Sequence, residues 1–145
     1  MKHHSESKLL PFSSKQLFDI IIDVESYPQF LPWCKESRIL KNISSNSFEA
    51  ELTVGYKSIN ESYLSKIIFE DSKFIETSAI KGPFREMTNL WRFVDKPNNS
   101  CLLEFSISFE FKSFLLDKFM GAVFFKATTK LVAAFEERAN NLYVL

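Results

Sequence analysis

The sequence predicts an α+β protein in which a curved antiparallel sheet of about six to seven strands wraps around one long C-terminal helix. Apolar and polar residues alternate strictly over residues 103–111, which is typical of a strand with one buried and one solvated face. Short connections between the strands leave no room for crossovers, so neighbouring strands are antiparallel. A helical period then runs over residues 113–142. The 145 residues are expected to form one domain, 1–145.

Composition narrows the class of function. Lysine plus arginine and aspartate plus glutamate number 18 each, so the net charge of +0 argues against a broad nucleic-acid surface, and no DNA partner is expected. Two cysteines without metal-ligand spacing fit a reducing compartment. Sixteen phenylalanines beside three glycines fit a deep apolar cavity or a phenylalanine-rich core. With no signal peptide and no bilayer-spanning apolar run, we expect a cytoplasmic protein, with a peripheral position at the inner membrane as the alternative.

The N-terminal third predicts a strand, a helix and a rigid elbow. Residues 2–10 alternate loosely and form an edge-like strand, after which a helix over 14–24 begins with the capping-box pair Ser13 and Gln16. Residues 25–34 then place three aromatic rings and two prolines close together, so only about one helical turn fits. These held rings suit a gate for a planar head group, and they equally suit a hydrophobic plug.

The middle of the chain predicts strands with a period of two. The pattern covers residues 48–57, with Leu52, Val54 and Tyr56 inward and Lys57 outward, and then 59–70 and 73–80. A turn at 81–83 leads to a strand over 84–94, and a hairpin loop at 95–99 leads to the strand over 103–111. The inward residues of these last two strands include Met87, Trp91, Phe93, Phe105 and Ile107. Phe84, with Gly82 and Pro83, forms either a second rim of the cavity opening or part of a plain hairpin turn.

The predicted last helix, 113–142, changes character along its length. Its second half is amphipathic, whereas in its first half Leu115, Phe119 and Phe125 project from the side that should be polar. Met120 and Phe124 fall on the inward side. A helix that is apolar on every side is enclosed or presses against another apolar surface, so the extra residues predict the flank of a cavity or a membrane contact.

The residues that usually carry catalysis do not form a constellation. His3 and His4 point to opposite faces of a strand, Cys34 lacks a neighbouring base, and the strand carboxylates are single. No phosphate loop or metal cluster is present in the sequence. We therefore expect no catalytic residues, no metal and no required cofactor. A cyclase-like enzyme stays as a third alternative, with Tyr56, Tyr63 and Glu61 as its only candidates.

Three blocks of the sequence, 27–34 (YPQFLPWC), 82–93 (GPFREMTNLWRF) and the stretch 109–143, resemble a known family. They are similar, in the same order, to the START-like coenzyme Q-binding proteins of the polyketide cyclase/dehydrase superfamily, which also includes the ribosome association toxin (RatA) family. The resemblance spans nearly the whole chain, which departs from the pattern by ending in Val144-Leu145. It implies the helix-grip (START-like/Bet v 1-like) fold.

The resemblance also implies a function and a set of ligand-binding residues. A noncatalytic protein would hold ubiquinone, or another polyprenyl lipid, and support respiratory electron transport. Tyr27, Pro28, Phe30, Pro32 and Trp33 would line or gate the entrance, while Trp91, Phe93, Met120 and Phe124 would face the cavity. The inward strand residues Leu52, Val54, Tyr56, Met87, Phe105 and Ile107, together with Phe84 at the second rim, complete the expected site. The alternative is a toxin that binds the large ribosomal subunit and inhibits translation.

Overall fold

Seven antiparallel strands form one curved sheet, and three helices cover its inner face. The computed structural model describes residues 1–56 and 58–144; Lys57, assigned above to the polar face of a strand, and Leu145 lie outside the described residues. The elements are β1 Lys2–Leu10, α1 Ser14–Ile22, a 3-10 helix Val24–Gln29, β2 Cys34–Ser44, β3 Ser47–Tyr56, β4 Ile59–Glu70, β5 Phe74–Lys81, β6 Phe84–Lys96, β7 Ser100–Phe111, α2 Phe114–Thr128 and α3 Leu131–Tyr143. The strand order is β1-β7-β6-β5-β4-β3-β2.

The N-terminal elements follow the sequence pattern closely. β1 pairs with β7 and forms one edge of the sheet, as expected. The Ser13 side chain accepts from the backbone N–H of Gln16, and the Gln16 side chain accepts from the backbone N–H of Ser13, which completes the predicted capping box. The helix ends at Ile22, two residues earlier than predicted, because the chain tightens into the 3-10 helix at Val24.

β2 forms the other edge and was not recognisable as a strand from its pattern. Cys34 is its one buried residue, and Ile39, Leu40 and Ile43 are exposed. Irregularities in its pairing with β3 shift the register at three points. Because solvent reaches both faces of this edge strand, its sequence needs no alternation of apolar and polar residues.

The prediction of one terminal helix over 113–142 was wrong, because the helix is interrupted at Thr129 and Lys130. The hydroxyls of Thr128 and Thr129 donate to the carbonyls of Phe125 and Lys126, each at 2.7 Å. The backbone N–H of Lys130 donates to Ala127, three residues back, so the last turn of α2 tightens. These local bonds compete with the regular helical pattern, and α3 starts anew at Leu131.

The core lies on the concave side of the sheet and has an apolar cluster under each of two helices. Below α1, the Phe18 ring meets those of Phe69 and Phe93 at centroid distances of 6.0 and 5.7 Å. Below α2, Phe124 packs edge-on against Phe109 at 4.8 Å. A cavity remains between these two apolar clusters, and the elements that meet there position the site.

Candidate functional site

A cavity of about 90 Å³ lies on the inner face of the sheet, between the end of α1, the elbow and the junction of α2 with α3. Its floor is aromatic. The Trp91 ring stacks on Phe105 with the ring centroids 4.1 Å apart, and Phe135 of α3 meets Trp91 edge-on at 5.2 Å. Stacked and edge-on rings of this kind give a flat apolar surface that suits a planar ligand.

The wall of the cavity carries no charge at neutral pH among the described residues that line it. Burial raises the pKa of the Cys34 thiol to about 11. The pKa values of the Tyr27 and Tyr63 hydroxyls are also raised, mainly by burial. These groups therefore stay protonated and neutral, and none of them exchanges protons readily near pH 7.

Hydrogen bonds hold the elbow against the rest of the protein. The Tyr27 hydroxyl donates to the Ile21 carbonyl at 2.5 Å, which ties the ring to the end of α1. The backbone N–H of Leu31 donates to the Tyr27 carbonyl at 2.9 Å, and that of Gly55 on β3 donates to the Trp33 carbonyl at 2.9 Å. Tyr27 and Trp33 are half-buried on the cavity wall, so their rings have fixed positions beside solvent.

The structure brings nine of the sixteen predicted ligand-binding residues to this wall. They come from the elbow, three strands and α2: Tyr27, Trp33, Leu52, Val54, Met87, Trp91, Phe105, Ile107 and Phe124. Their role in binding stays a prediction.

Three predicted residues pack in the core instead of lining the cavity. Phe84 stacks on Phe111 at 4.7 Å and also meets Phe124, because α2 closes over the end of β6. Phe93 lies below α1 against Phe18. Met120 is buried under α2, off the wall. All three are buried. Phe93 and Met120 face inward as predicted, and Phe84 is part of the core, whereas the sequence suggested a rim; all three lie away from the level of the cavity.

Four further predicted residues lie at the surface or behind the wall. Pro28 and Pro32 are exposed, so they shape the elbow without facing the cavity. Phe30 packs behind Tyr27 against Phe135, at 5.5 Å between ring centroids. Tyr56 is 46% exposed at the end of β3. Of the three residues considered for a cyclase, only Tyr63 lines the cavity.

Sequence reasoning missed a polar group on the cavity wall. Ser65, Thr77 and Asn89 lie on the neighbouring strands β4, β5 and β6, each between two apolar inward residues. The sequence does hold a signal, because one polar residue interrupts the inward side of three successive strands. Ser65 is 0% exposed, and its hydroxyl has no hydrogen-bond partner among the described residues.

The start of α2 presents large apolar side chains to solvent. Phe114, Leu115 and Phe119 are 80%, 63% and 63% exposed, respectively. Phe125, which the sequence grouped with Leu115 and Phe119, is not exposed with them. Its ring lies half-buried against His4 of β1, with 6.3 Å between the ring centroids. Helix α2 lies beside β1, so a residue on the flank of that helix is covered. Within the described residues, no helix combines the length and apolar character needed to cross a bilayer.

Comparison with known proteins gives one family. Residues 10–136 match the model for the polyketide cyclase/dehydrase and lipid transport family. The chain is 40% identical to the ribosome association toxin RatA of Rickettsia prowazekii, over 98% of this chain and 99% of that protein. It is 37% identical to the mitochondrial coenzyme Q-binding protein COQ10 homolog B of Xenopus laevis, over 97% of this chain and 59% of that longer protein.

A solved structure agrees with the fold. A START superfamily protein from Mycobacterium smegmatis superposes with a TM-score of 0.79, covering 97% of this chain and 98% of that one, at 21% identity. The seven-stranded curved sheet closed by C-terminal helices is therefore the helix-grip fold.

Proposed function

The chain belongs to the polyketide cyclase/dehydrase and lipid transport family, and we propose that it is a noncatalytic carrier of a hydrophobic ligand, ubiquinone or another polyprenyl quinone, in support of respiratory electron transport. The observation that carries the proposal is the cavity: an uncharged, largely apolar space with a flat aromatic floor at Trp91 and Phe105. Such a surface favours a planar, uncharged ring. The name of the Xenopus relative supports the same ligand class.

The size of the cavity means that the ligand enters by displacing part of the wall. An apolar cavity of about 150 Å³ accommodates benzene, whereas this one measures about 90 Å³. Helix α2 contributes Phe124, Ala127 and Thr128 to the wall and ends at the Thr129–Lys130 break. An outward shift of α2 about this break would admit a ring and leave a path for an isoprenoid chain.

The same helix supplies a surface for contact with a membrane, where a quinone would be collected or delivered. Phe114, Leu115 and Phe119 are exposed together at its start, and the exposed Lys112 and Lys118 flank them. Large apolar side chains beside lysines are typical of segments that lie at a lipid interface. Phe114 replaces Phe125 in the contact that the sequence suggested.

The chemistry of the wall supports binding over catalysis. An acid or base that works near neutral pH must change its protonation there, and the raised pKa values of Cys34, Tyr27 and Tyr63 act against this. Among the described residues, no group of three or more histidine, cysteine or acidic side chains is arranged to hold a metal ion.

The proposal is tested by extracting the protein, purified from its native host, with organic solvent and identifying the lipids by mass spectrometry. We expect a polyprenyl quinone close to one equivalent per chain. A protein that carries no such lipid, and takes none up from quinone-loaded vesicles, would contradict the proposal.

A second candidate, a ribosome-directed translation inhibitor, is favoured by one specific observation. The relatives named as RatA toxins match over nearly the whole length of both chains. This candidate predicts that the protein sediments with large ribosomal subunits and arrests growth when overproduced. Because contacts with RNA weaken steeply with salt, the sedimentation is done at low salt. Absence of cosedimentation there would remove this candidate.

A further inference from the structure

The polar side chains of the cavity wall form a group whose spacing follows from the strand register. Thr77 lies directly opposite Asn89 in the pairing of β5 with β6, which places their Cβ atoms about 5 Å apart. Thr77 is also opposite Ile67 on β4, so Ser65, two residues before Ile67, lies diagonally across at about 7 to 8 Å. All three residues line the same cavity.

The hydrogen-bonding capacity of Ser65 and Asn89 is largely unused among the described residues. The Ser65 hydroxyl is fully buried and has no partner among the described residues. The Asn89 amide makes one side-chain bond, to the Met87 sulfur at 3.7 Å, and a thioether is a weak acceptor. A buried donor without a partner costs free energy, and a hydrogen bond to a ligand in the cavity would offset that cost.

The other residues of the wall indicate which kind of ligand group would accept these hydrogen bonds. Ser65, Thr77 and Asn89 offer N–H or O–H donors, as do Tyr63 and the two tryptophans elsewhere on the wall, and no lysine, arginine or histidine lines the cavity among the described residues. An ionised carboxylate moved into such a space loses its hydration without gaining a counter-charge. A carbonyl oxygen on an uncharged ring accepts the donors without that cost, and Trp91 lies beside them on the next inward position of β6.

We infer that Ser65, Thr77 and Asn89 form a neutral hydrogen-bonding subsite for the carbonyl oxygen of an uncharged head group, and that the cavity selects quinones over ionised fatty acids. The inference rests on the proposed function and deepens it, because an apolar cavity by itself would hold a quinone or a fatty acid equally through its hydrocarbon tail. The subsite recognises the head group, while the apolar wall contacts the ring and the start of the tail.

Four probes separate the contributions of carbonyl, ring and charge. Decylubiquinone has the ring, carbonyls and tail, decylbenzene lacks the carbonyls, and dodecanoate and its methyl ester differ in charge. For the wild-type protein we expect decylubiquinone to bind at least about tenfold more tightly than decylbenzene, from two hydrogen bonds. The methyl ester should bind more tightly than the ionised dodecanoate.

Variants test the named side chains against a matched control. Ser65→Ala and Asn89→Leu should each weaken decylubiquinone binding about fivefold and leave decylbenzene binding unchanged. Ser62→Ala, an exposed serine on the same strand, should change neither. The ligand-free Ser65→Ala protein should melt at the same or a higher temperature than the wild type, because it loses an unpaired buried hydroxyl.

The outcomes distinguish the subsite from the carrier. If the wild type binds decylubiquinone and the two variants bind it equally well, the subsite is wrong and the carrier stands. Equal affinity for dodecanoate and its ester overturns the selection against charge. If the wild type binds none of the four probes, both the carrier and the subsite are refuted.

Discussion

Tyr27 and Trp33 keep fixed positions at the cavity wall because hydrogen bonds tie the elbow to its neighbours. One end is tied to α1 through the Tyr27 hydroxyl and the other to β3 through the Trp33 carbonyl. Two prolines restrict the backbone between them. A ring held in this way can close the cavity while it contributes little to the core. Removing it should therefore affect ligand release more than it affects the stability of the fold.

Replacing Trp33 with alanine tests this expectation. We expect the bound quinone to dissociate about tenfold faster, while the free energy of unfolding falls by about 1 to 2 kcal/mol, because the ring is only half-buried. Stopped-flow transfer of quinone to acceptor vesicles and urea unfolding measure the two quantities. Trp33→Phe keeps a ring at the wall and serves as the control. Unchanged dissociation with a stability loss above about 3 kcal/mol would make Trp33 a core plug.

The buried thiol of Cys34 makes stability depend on pH in the alkaline range. Its pKa rises from 9.0 to about 11 on folding, so the unfolded chain loses this proton first as the pH increases. The contribution to stability is present below pH 9 and is lost as the pH rises through 11. The raised pKa values of Tyr27 and Tyr63 act in the same direction at higher pH.

Urea-unfolding midpoints measured between pH 8 and 11 check this dependence. We expect the midpoint of the wild type to fall with pH, and that of Cys34→Ala to fall less steeply, since the variant keeps only the contributions of the raised pKa values of Cys101 and the buried tyrosines. An equally steep fall in both proteins would show that Cys34 is not the group responsible.

At the scale of elements, α2 has one face that packs on the sheet and one apolar face in solvent, and both faces are apolar in the sequence. Met120 and Phe124 pack inward, while Phe114, Leu115 and Phe119 remain in solvent. The helical period identifies both faces, but it does not indicate that β1 covers Phe125, because that contact joins opposite ends of the chain. The break after Thr128 depends on hydroxyl–carbonyl bonds that leave no mark in the periodicity.

The exposed face of α2 predicts a measurable affinity for lipid. The double variant Leu115→Ser/Phe119→Ser should bind quinone-containing vesicles at least about tenfold more weakly, because two large side chains lose their transfer into the interface. Flotation of protein with vesicles measures the bound fraction. Leu9→Ser removes a side chain of similar exposure, 60%, from the opposite end of β1 and is the matched control. Equal flotation of all three proteins would exclude α2 as the contact.

At the scale of the whole molecule, the sheet was predictable because its pattern is local. β7 alternates buried and half-buried residues without interruption, and its sequence alone indicates the inward side. β2 was not recognised, since it is exposed on both faces. For the site, alternation identifies that Met87, Trp91 and Phe93 face inward, but not the level at which the cavity lies. Phe84 is out of phase with these three residues in the sequence, and the register of β6 with β7 shifts between Phe84 and Glu86. That level depends on where α2 and the elbow meet the sheet.

The most direct test of the carrier is whether a quinone reaches the aromatic floor. The chain has two tryptophans, so Trp33→Phe leaves Trp91, which is buried against Phe105, as the only tryptophan emitter. Titration with decylubiquinone should quench Trp91 emission saturably, near one equivalent, while acrylamide in water quenches it poorly. Quenching that increases linearly without saturation, or no quenching beyond that of free tryptophan amide, would contradict a ligand held in the cavity.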